Sequence, residues 1–230
     1  MEGRLEHGFR ARLRALASLR ARPDPDAEAE RLIREARATA SHGAAHARAL
    51  VTLWSREVRA AGEASSGREG VRESDRTPRF LCDPSLGGLA RWLRAAGFEA
   101  EVAAGVPGHR LPDEALRLAR VLLTTEAEVL DRRIVADGSL LVVWVPSALT
   151  MSEQLRMVAL DLGLNLREPR CMCCGGALVK TPKEAVRSRI PPRTALWKDE
   201  YFVCASCDRL FWQGTHWERI ARTLAEALPR

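Results

Sequence analysis

The stretch RFLCDPSLGGLARWLRAAGF, residues 79–98, decides how the central part of the chain is expected to fold. Its apolar run, residues 80–82, indicates a buried strand, and Asp83 ends that run directly before Pro84 and a helical pattern. Gly97 is expected to end this helix, because helices commonly stop at a glycine that adopts the left-handed conformation. A strand followed at once by a helix indicates the first half of a β-α-β unit.

The same alternation of strand and helix patterns continues to residue 162. The expected elements are strand 79–83, helix 84–96, strand 98–102, helix 113–119, strand 120–124, helix 126–136, strand 139–145 and helix 151–162. Right-handed crossovers place such strands in a parallel sheet with helices on both faces, and ligands bind beyond the carboxyl ends of the strands. We therefore predict an α/β architecture whose functional site lies at that edge of the sheet.

Three carboxylates are candidates for this edge: Asp83, Asp113 and Glu126. Each also has a structural explanation. Asp83 precedes Pro84, which is the arrangement of a helix N-cap, and the other two carboxylates also lie where a helix begins. Carboxylates that converge at one edge repel one another unless a cation lies among them. The positions alone leave both interpretations open.

Five of the six cysteines lie in the last 60 residues. Two Cys-x-x-Cys pairs separated by 29 residues have the spacing of a four-thiolate zinc site. The expected ligands of this structural zinc are Cys171, Cys174, Cys204 and Cys207. Cys173 could replace Cys174 in a Cys-x-Cys arrangement, but the two glycines after Cys174 favour a zinc knuckle at that position. The sixth cysteine, Cys82, is expected in the core.

Prolines and a segment rich in glycine, serine and charged residues divide the rest of the chain into segments. Residues 3–22 and 26–64 indicate two helices separated by Pro23-Asp24-Pro25, which form a hairpin-like helical extension over residues 1–61. Residues 62–78 combine glycine, serine and charge, which is typical of a flexible linker. The α/β domain is then expected over residues 79–168, followed by a zinc ribbon with a closing helix over residues 169–230.

Composition restricts the class of protein. The chain is 46% apolar and 29% charged, and it has no run of about 20 apolar residues that could span a membrane. Its N-terminal segment lacks the continuous apolar run of a secretory signal. We therefore expect a soluble, cytoplasmic protein with no membrane partner. The net charge is +3 for residues 1–78, −2 for residues 79–168 and +5 for residues 169–230.

The quoted stretch, followed by LPDEALRLA, VLLTTEAEVL and the cysteine pairs with YFVCASCDRLFWQGTHWERI, resembles the Mut-seven C-terminal RNase domain family over about residues 79–222. The resemblance implies a PIN-like nuclease fold with a C-terminal zinc ribbon. It also implies a metal-dependent ribonuclease whose acids bind Mg²⁺ or Mn²⁺. By position, Asp83 matches the acid of the first strand, Asp113 (beside Glu114) the middle acid, and Glu126 the acid after the third strand.

The chain departs from the family pattern at two points near these acids. It has LTTE where the family has a pattern like LTRD, so Thr125 and Glu126 replace Arg and Asp. It also has LGGLARWLR in place of LGKLARWLR, with Gly88 at the lysine position. The alternative interpretation is therefore a catalytically weakened or silent RNA-binding or adaptor protein. In that case residues 1–61 would dock on a protein or ribonucleoprotein partner.

RNA is the expected partner, and the basic segment 169–230 is the expected contact, because phosphate neutralisation dominates affinity for nucleic acids. The candidate contacts on its long loop are Arg187, Arg189 and Arg193.

For several histidine and aromatic side chains, we mainly predict structural roles. His42 and His46 lie four residues apart on a helix and are expected on its solvated surface. The aromatic residues near the C-terminus, Phe211, Trp212 and Trp217, are expected in the core of the ribbon and its closing helix, with base stacking as the alternative. His216 either packs beside Trp217 or approaches RNA.

Overall fold

The computed structural model describes residues 2–65 and 77–228. Its N-terminal part contains three helices: α1 (Glu2–Leu19), α2 (Pro25–Thr39) and α3 (Gly43–Ser65). The prediction of two helices was wrong, because the second one breaks at residues 40–42. Ala40 is extended there, with φ −159°, and Gly43 takes a left-handed φ of +67°. Because α3 reaches Ser65, it enters the predicted linker; residues 66–76 lie outside the described residues.

His46 explains how this break is held. The prediction of a solvated surface position was wrong for this residue, which is fully buried. Its Nδ1 lies 2.7 Å from the Ala40 carbonyl and its Nε2 lies 3.1 Å from Glu6 Oε1 on α1. The ring therefore connects the break between α2 and α3 to α1. Because the ring is buried, both of its nitrogens need hydrogen-bond partners, and Ala40 and Glu6 supply them.

In the central part of the chain, residues 79–162, four strands form one parallel sheet, as predicted. Strands and helices in this part are β1 (Arg79–Cys82), α4 (Gly87–Ala95), β2 (Glu99–Val102), α5 (Leu111–Arg117), β3 (Val121–Thr124), α6 (Arg133–Ala136), β4 (Val142–Trp144) and α7 (Met151–Leu162). The strand order is β2-β1-β3-β4, and each neighbouring pair is parallel. The predicted helix 126–136 was wrong: it is a 3₁₀ turn (Ala127–Asp131) followed by the short α6. An extended Arg132 separates these two turns.

Side chains of β1 alternate between two cores on opposite faces of the sheet. Phe80 and Cys82 face the core formed with α4 and α7, and Leu81 faces the core formed with α5. The expected core position of Cys82 is confirmed, and burial raises the pKa of its thiol to about 12. A thiol with this pKa is not ionised at neutral pH, so Cys82 is not a candidate nucleophile.

The N-terminal helices share an apolar core with the α/β part. This core includes Phe9, Leu13, Ile33 and Leu50 of the helices and Ala127, Trp144 and Met157 of the α/β part. Phe9 packs edge-on against Trp144, with ring centroids 5.3 Å apart. Gly8 lies so close to the same indole that a Cβ there would meet its ring atoms at 2.6 Å. The helices therefore pack tightly beside the carboxyl ends of β3 and β4.

The C-terminal part is a small antiparallel sheet with a long closing helix. Its elements are β5 (Leu178–Thr181), α8 (Lys183–Val186), α9 (Pro192–Ala195), β6 (Tyr201–Cys204), β7 (Leu210–Trp212) and α10 (Thr215–Ala227). The strand order is β5-β6-β7. The closing helix packs back into the α/β core through Ile220 and Leu224. Across residues 2–65 and 77–228, no helix combines the length and the apolar character needed to cross a membrane.

Candidate active site and metal centre

Asp83 lies at the carboxyl end of β1 and is 8% exposed. Its backbone N–H donates to the Leu123 carbonyl (2.8 Å), which continues the pairing of β1 with β3. Its Oδ1 accepts from the Ser85 N–H (2.9 Å) and from the Ser85 hydroxyl (2.7 Å). The predicted capping role is therefore confirmed. Its Oδ2 has a longer contact of 3.3 Å with the Thr124 hydroxyl, which leaves capacity for another ligand.

The end of β3 lies directly beside Asp83, at the point where the strand order reverses. Thr124 Oγ1 accepts from the Glu126 N–H at 3.1 Å, and the hydroxyl of Thr125 lies 3.2 Å from that of Ser85. The Thr125 carbonyl accepts from the Trp144 indole at 3.1 Å. In parallel α/β sheets a reversal of strand order opens a crevice beyond the strand ends, and ligands bind there.

This crevice is an open cleft of about 720 Å³, and all three predicted acids line it. Asp113 is the third residue of α5 and its side chain is 66% exposed, so it is not the helix cap that its position after a proline had suggested. Glu126 is also exposed and makes no capping hydrogen bond. Arg132 enters the same cleft, 3.9 Å from Asp113, and donates to the His109 carbonyl at 2.8 Å.

The three carboxylates share the cleft without forming a closed ligand cluster. In the part of the chain that the structure describes, only a group of four cysteines brings three or more potential ligand atoms within 4.8 Å of one another. Asp83 is therefore the one acid whose position is fixed by burial and hydrogen bonds.

The four sulfurs of that cysteine group fit a tetrahedral zinc site. They belong to Cys171, Cys174, Cys204 and Cys207. The sulfurs of Cys171 and Cys207 are 3.7 Å apart, and those of Cys174 and Cys204 are 3.4 Å apart. Four thiolates around zinc at 2.3 Å lie about 3.8 Å from one another. The group is therefore consistent with the predicted zinc site, and Cys173 is exposed outside it.

Backbone groups support the sulfurs as in a zinc knuckle. The N–H of Gly176 donates to Cys174 Sγ and that of Ser206 to Cys204 Sγ, both at 3.4 Å. Although burial opposes it, hydrogen bonds from backbone N–H groups lower the pKa of Cys204 to about 6. A Cβ on Gly176 would lie 2.8 Å from Cys204 Sγ, so this turn requires glycine. The predicted glycine turn after Cys174 is confirmed.

Comparison with known families adds a direct assignment. The family model of the Mut7-C RNAse domain matches residues 78–224, which span the parallel sheet, the cleft and the four cysteines. The chain belongs to this family. Membership gives the Mut7-C domain a nuclease-type, RNA-related assignment, in agreement with the resemblance found in the sequence. Neither a curated protein nor a solved structure gives a significant match to the chain.

The predicted RNA-contacting arginines lie on the surface of the Mut7-C domain, between β5 and β6. Arg187, Arg189 and Arg193 are all exposed. Arg189 is partly neutralised, because its Nη1 lies 3.2 Å from Asp208 Oδ1. The side chains of the other two make no hydrogen bond or ion pair within the described residues.

The structure adds residues that sequence analysis missed. Arg94 of α4 is buried, and its guanidinium donates to the carbonyls of Met172 (3.0 Å), Cys173 (2.9 Å) and Ala100 (2.7 Å). It therefore joins the loop of the first cysteine pair, residues 171–174 (the zinc knuckle), to β2 of the parallel sheet. The available signal was a basic residue directly after Leu93 on an otherwise apolar helix face. The partners of Arg94 lie up to 79 residues away and leave no local pattern.

Proposed function

We propose that the chain is a metal-dependent ribonuclease with a PIN-like active site in the cleft beyond β1 and β3. The observation that carries this proposal is the placement of Asp83. It is a nearly buried carboxylate at the strand-order reversal, and it faces a cleft that Asp113 and Glu126 also line. Membership in an RNase domain family supports RNA as the substrate.

In this proposal Asp83 holds Mg²⁺ or Mn²⁺ directly, and Asp113 and Glu126 complete the site from the rim of the cleft, in part through water. The bound cation would lower the pKa of a water molecule and stabilise negative charge on the phosphodiester oxygens. Arg110 and Arg132 line the same cleft and supply positive charge for the phosphate. They would provide the basic contacts that the replacements at Gly88 and Thr125 remove.

The second metal in the proposal is a structural zinc ion held by the four clustered cysteines. The ribbon has a small core of its own, built around Val186, Ile190 and Tyr201. A core of this size gives little stability without a metal, so zinc binding supplies folding energy. Arg94 of α4 then fixes the loop of the first cysteine pair against the α/β part through its hydrogen bonds to the Met172 and Cys173 carbonyls.

Replacing Asp83 by Asn should abolish RNA cleavage while leaving stability almost unchanged. Asn caps a helix about as well as Asp, so only the charge at the cation site is lost. Loss of a hydrogen-bonding partner behind a metal ligand already lowers activity 10- to 100-fold, and loss of the ligand itself should lower the rate at least about 100-fold. The measurement is cleavage of a structured RNA with Mg²⁺ or Mn²⁺.

The matched control is Asp24→Asn. Asp24 caps α2 by accepting the Ala27 N–H at 2.9 Å and lies outside the cleft, so this variant should cleave RNA at the wild-type rate. Ca²⁺ in place of Mg²⁺ is the better metal control, because a strong chelator would also remove zinc. If Asp83→Asn cleaves as fast as the wild type, the carboxylate is only a cap and the proposed cation site is wrong.

The second candidate function is an RNA-binding adaptor without cleavage, and the exposed Glu126 is the observation that favours it. The extra methylene of Glu moves its oxygens relative to the Asp of the family pattern. Glu126→Asp distinguishes the two functions: if the wild type is inert and this variant cleaves RNA, the chain is an adaptor. The N-terminal helices would then bind a protein or ribonucleoprotein partner.

RNA binding should depend steeply on salt and on the exposed arginines of the ribbon loop. We expect substitution of Arg187, Arg189 and Arg193 by Gln to weaken binding and to lower the slope of log K against log salt by about 1.4 to 2.1, since each lost phosphate contact with a single strand removes about 0.7. A salt titration of binding measures this. The control is the same charge change at the exposed Arg14, Arg22 and Arg34. A loss of binding only in the control would place the RNA contact on the N-terminal helices.

A further inference from the structure

A second groove, of about 820 Å³, lies where the ribbon meets α4 and α10. Its lining differs in chemistry from that of the carboxylate cleft. It contains the aromatic side chains of Phe211, Trp212 and Trp217 and no carboxylate. The expectation that these aromatic residues form the core is confirmed in part: Trp212 packs against the ribbon core, but all three side chains are partly exposed. The walls come from β7, the first turn of α10, the zinc knuckle and α4.

The groove is also strongly basic. Arg91, Arg170 and Arg209 line it. Within the described residues, the Arg91 guanidinium makes no hydrogen bond or ion pair. Arg170 donates to the Gly175 carbonyl (2.6 Å), and Arg209 donates to Cys173 Sγ (2.8 Å). Each of these two groups is thus held in place by an uncharged or weakly accepting partner, and no carboxylate neutralises it.

We propose that this groove binds a short single-stranded segment of RNA, with bases stacked on Trp217 and Trp212 and phosphates paired with the three arginines. A positively charged groove with aromatic side chains is the combination that binds single strands, because each base offers a flat face and each phosphate a charge. A duplex fits less well, because its base faces are already stacked. The volume of the groove lies within the range of about 300–1,000 Å³ typical of ligand pockets.

The inference rests on the proposed function for its choice of RNA, and it adds a binding site separate from the cleavage site. Asp83 caps a 3₁₀ turn, Pro84–Leu86, that leads directly into α4, and Arg91 lies on α4 eight residues after Asp83. A strand held in the groove could therefore continue toward the carboxylate cleft. The groove would then select unpaired RNA, whereas the cleft carries the chemistry.

The test measures binding of a fluorescent ten-nucleotide oligouridylate to the Asp83→Asn protein, so that cleavage does not contribute. We expect Trp217→Ala to weaken binding about 5- to 150-fold, the range for loss of one stacked base. Trp217→Phe should recover much of that loss. Arg91→Gln should lower the salt slope by about 0.7. Arg34→Gln, an exposed arginine on α2, is the matched control and should bind as the parent protein does.

Zinc content and circular dichroism confirm that each variant is folded, and Arg91→Gln tests the site without altering an aromatic contact. Parent-like binding by both Trp217→Ala and Arg91→Gln would overturn the groove as an RNA site, even if wild-type protein cleaves RNA. Binding of deca-glutamate but not of the oligonucleotide would also overturn it in favour of an acidic peptide site. Absence of cleavage with intact groove binding would instead refute only the proposed nuclease function.

Discussion

Cys204→Ser is expected to remove the zinc and to unfold the ribbon. The four sulfurs lie within 4.8 Å of one another, which is consistent with a four-thiolate zinc site, and zinc binding contributes about 10–16 kcal/mol of apparent free energy in small zinc-dependent domains. Serine offers a weak ligand at that position, and it leaves the Ser206 N–H without its sulfur acceptor. Elemental analysis should find less than one zinc per chain, and proteolysis should become rapid within residues 169–214.

Cys173→Ser provides a control within the same knuckle. Cys173 is exposed and lies outside the group of four, so this variant should keep one zinc per chain and the stability of the wild type. Its only expected change is a weaker contact to Arg209. An unchanged zinc content in Cys204→Ser, or loss of zinc in Cys173→Ser, would show that the ligand set is not the proposed one.

The parts of the fold that could be predicted are those with a local signal. The parallel sheet followed from apolar runs that alternate with helical patterns, and the strand ends then placed Asp83 and Glu126 at one edge. The cysteine group followed from spacing, because each Cys-x-x-Cys turn directs two sulfurs to one point. The three acids share one cleft, as expected, but the sequence could not say that only Asp83 would be nearly buried.

The parts that could not be predicted depend on contacts between distant residues. The break between α2 and α3 has no proline, and its stabilising partner, His46, is buried in contact with Glu6 of α1, 40 residues away in the sequence. The groove was missed because the aromatic residues were interpreted as core. They stay partly exposed because they line the groove between β7, α4 and the zinc knuckle. Local patterns carry no information on such packing.

The N-terminal helices lie outside the family match, yet contacts connect them to the loop that follows β3 beside the candidate active site. Arg12 of α1 connects the two parts. Its Nη1 donates to the Trp144 carbonyl at 2.5 Å, and its guanidinium lies over the Trp54 ring, 4.8 Å from the centroid. Trp144 in turn donates to the Thr125 carbonyl, next to Glu126. A chain of contacts therefore runs from α1 to the loop that carries one of the candidate acids.

The same Arg12 forms a buried ion pair with Asp161 of α7, and the two side chains are 10% and 6% exposed. Asp161 Oδ1 also accepts from the Trp54 indole at 2.5 Å. Burial lowers the pKa of the Arg12 guanidinium to about 9, which still leaves it charged at neutral pH. Removal of one partner would leave the other charge buried without compensation, which is more unfavourable than the loss of an exposed pair.

Arg12→Ala is therefore expected to destabilise the protein by about 3–5 kcal/mol, measured as the free energy of unfolding in urea. Arg31→Ala is the control, because Arg31 pairs with Glu28 on an exposed helix face, with side chains 50% and 23% exposed, and such pairs contribute at most about 1 kcal/mol. The double variant Arg12→Met with Asp161→Asn removes both charges and keeps an oxygen acceptor for the Trp54 indole, so it should recover much of the loss. If Arg12→Ala is no more destabilising than Arg31→Ala, the ion pair does not hold the N-terminal helices against the Mut7-C domain. If the double variant is as unstable as Arg12→Ala, the loss does not come from an uncompensated Asp161 charge but from contacts that only the guanidinium makes, such as its hydrogen bond to the Trp144 carbonyl.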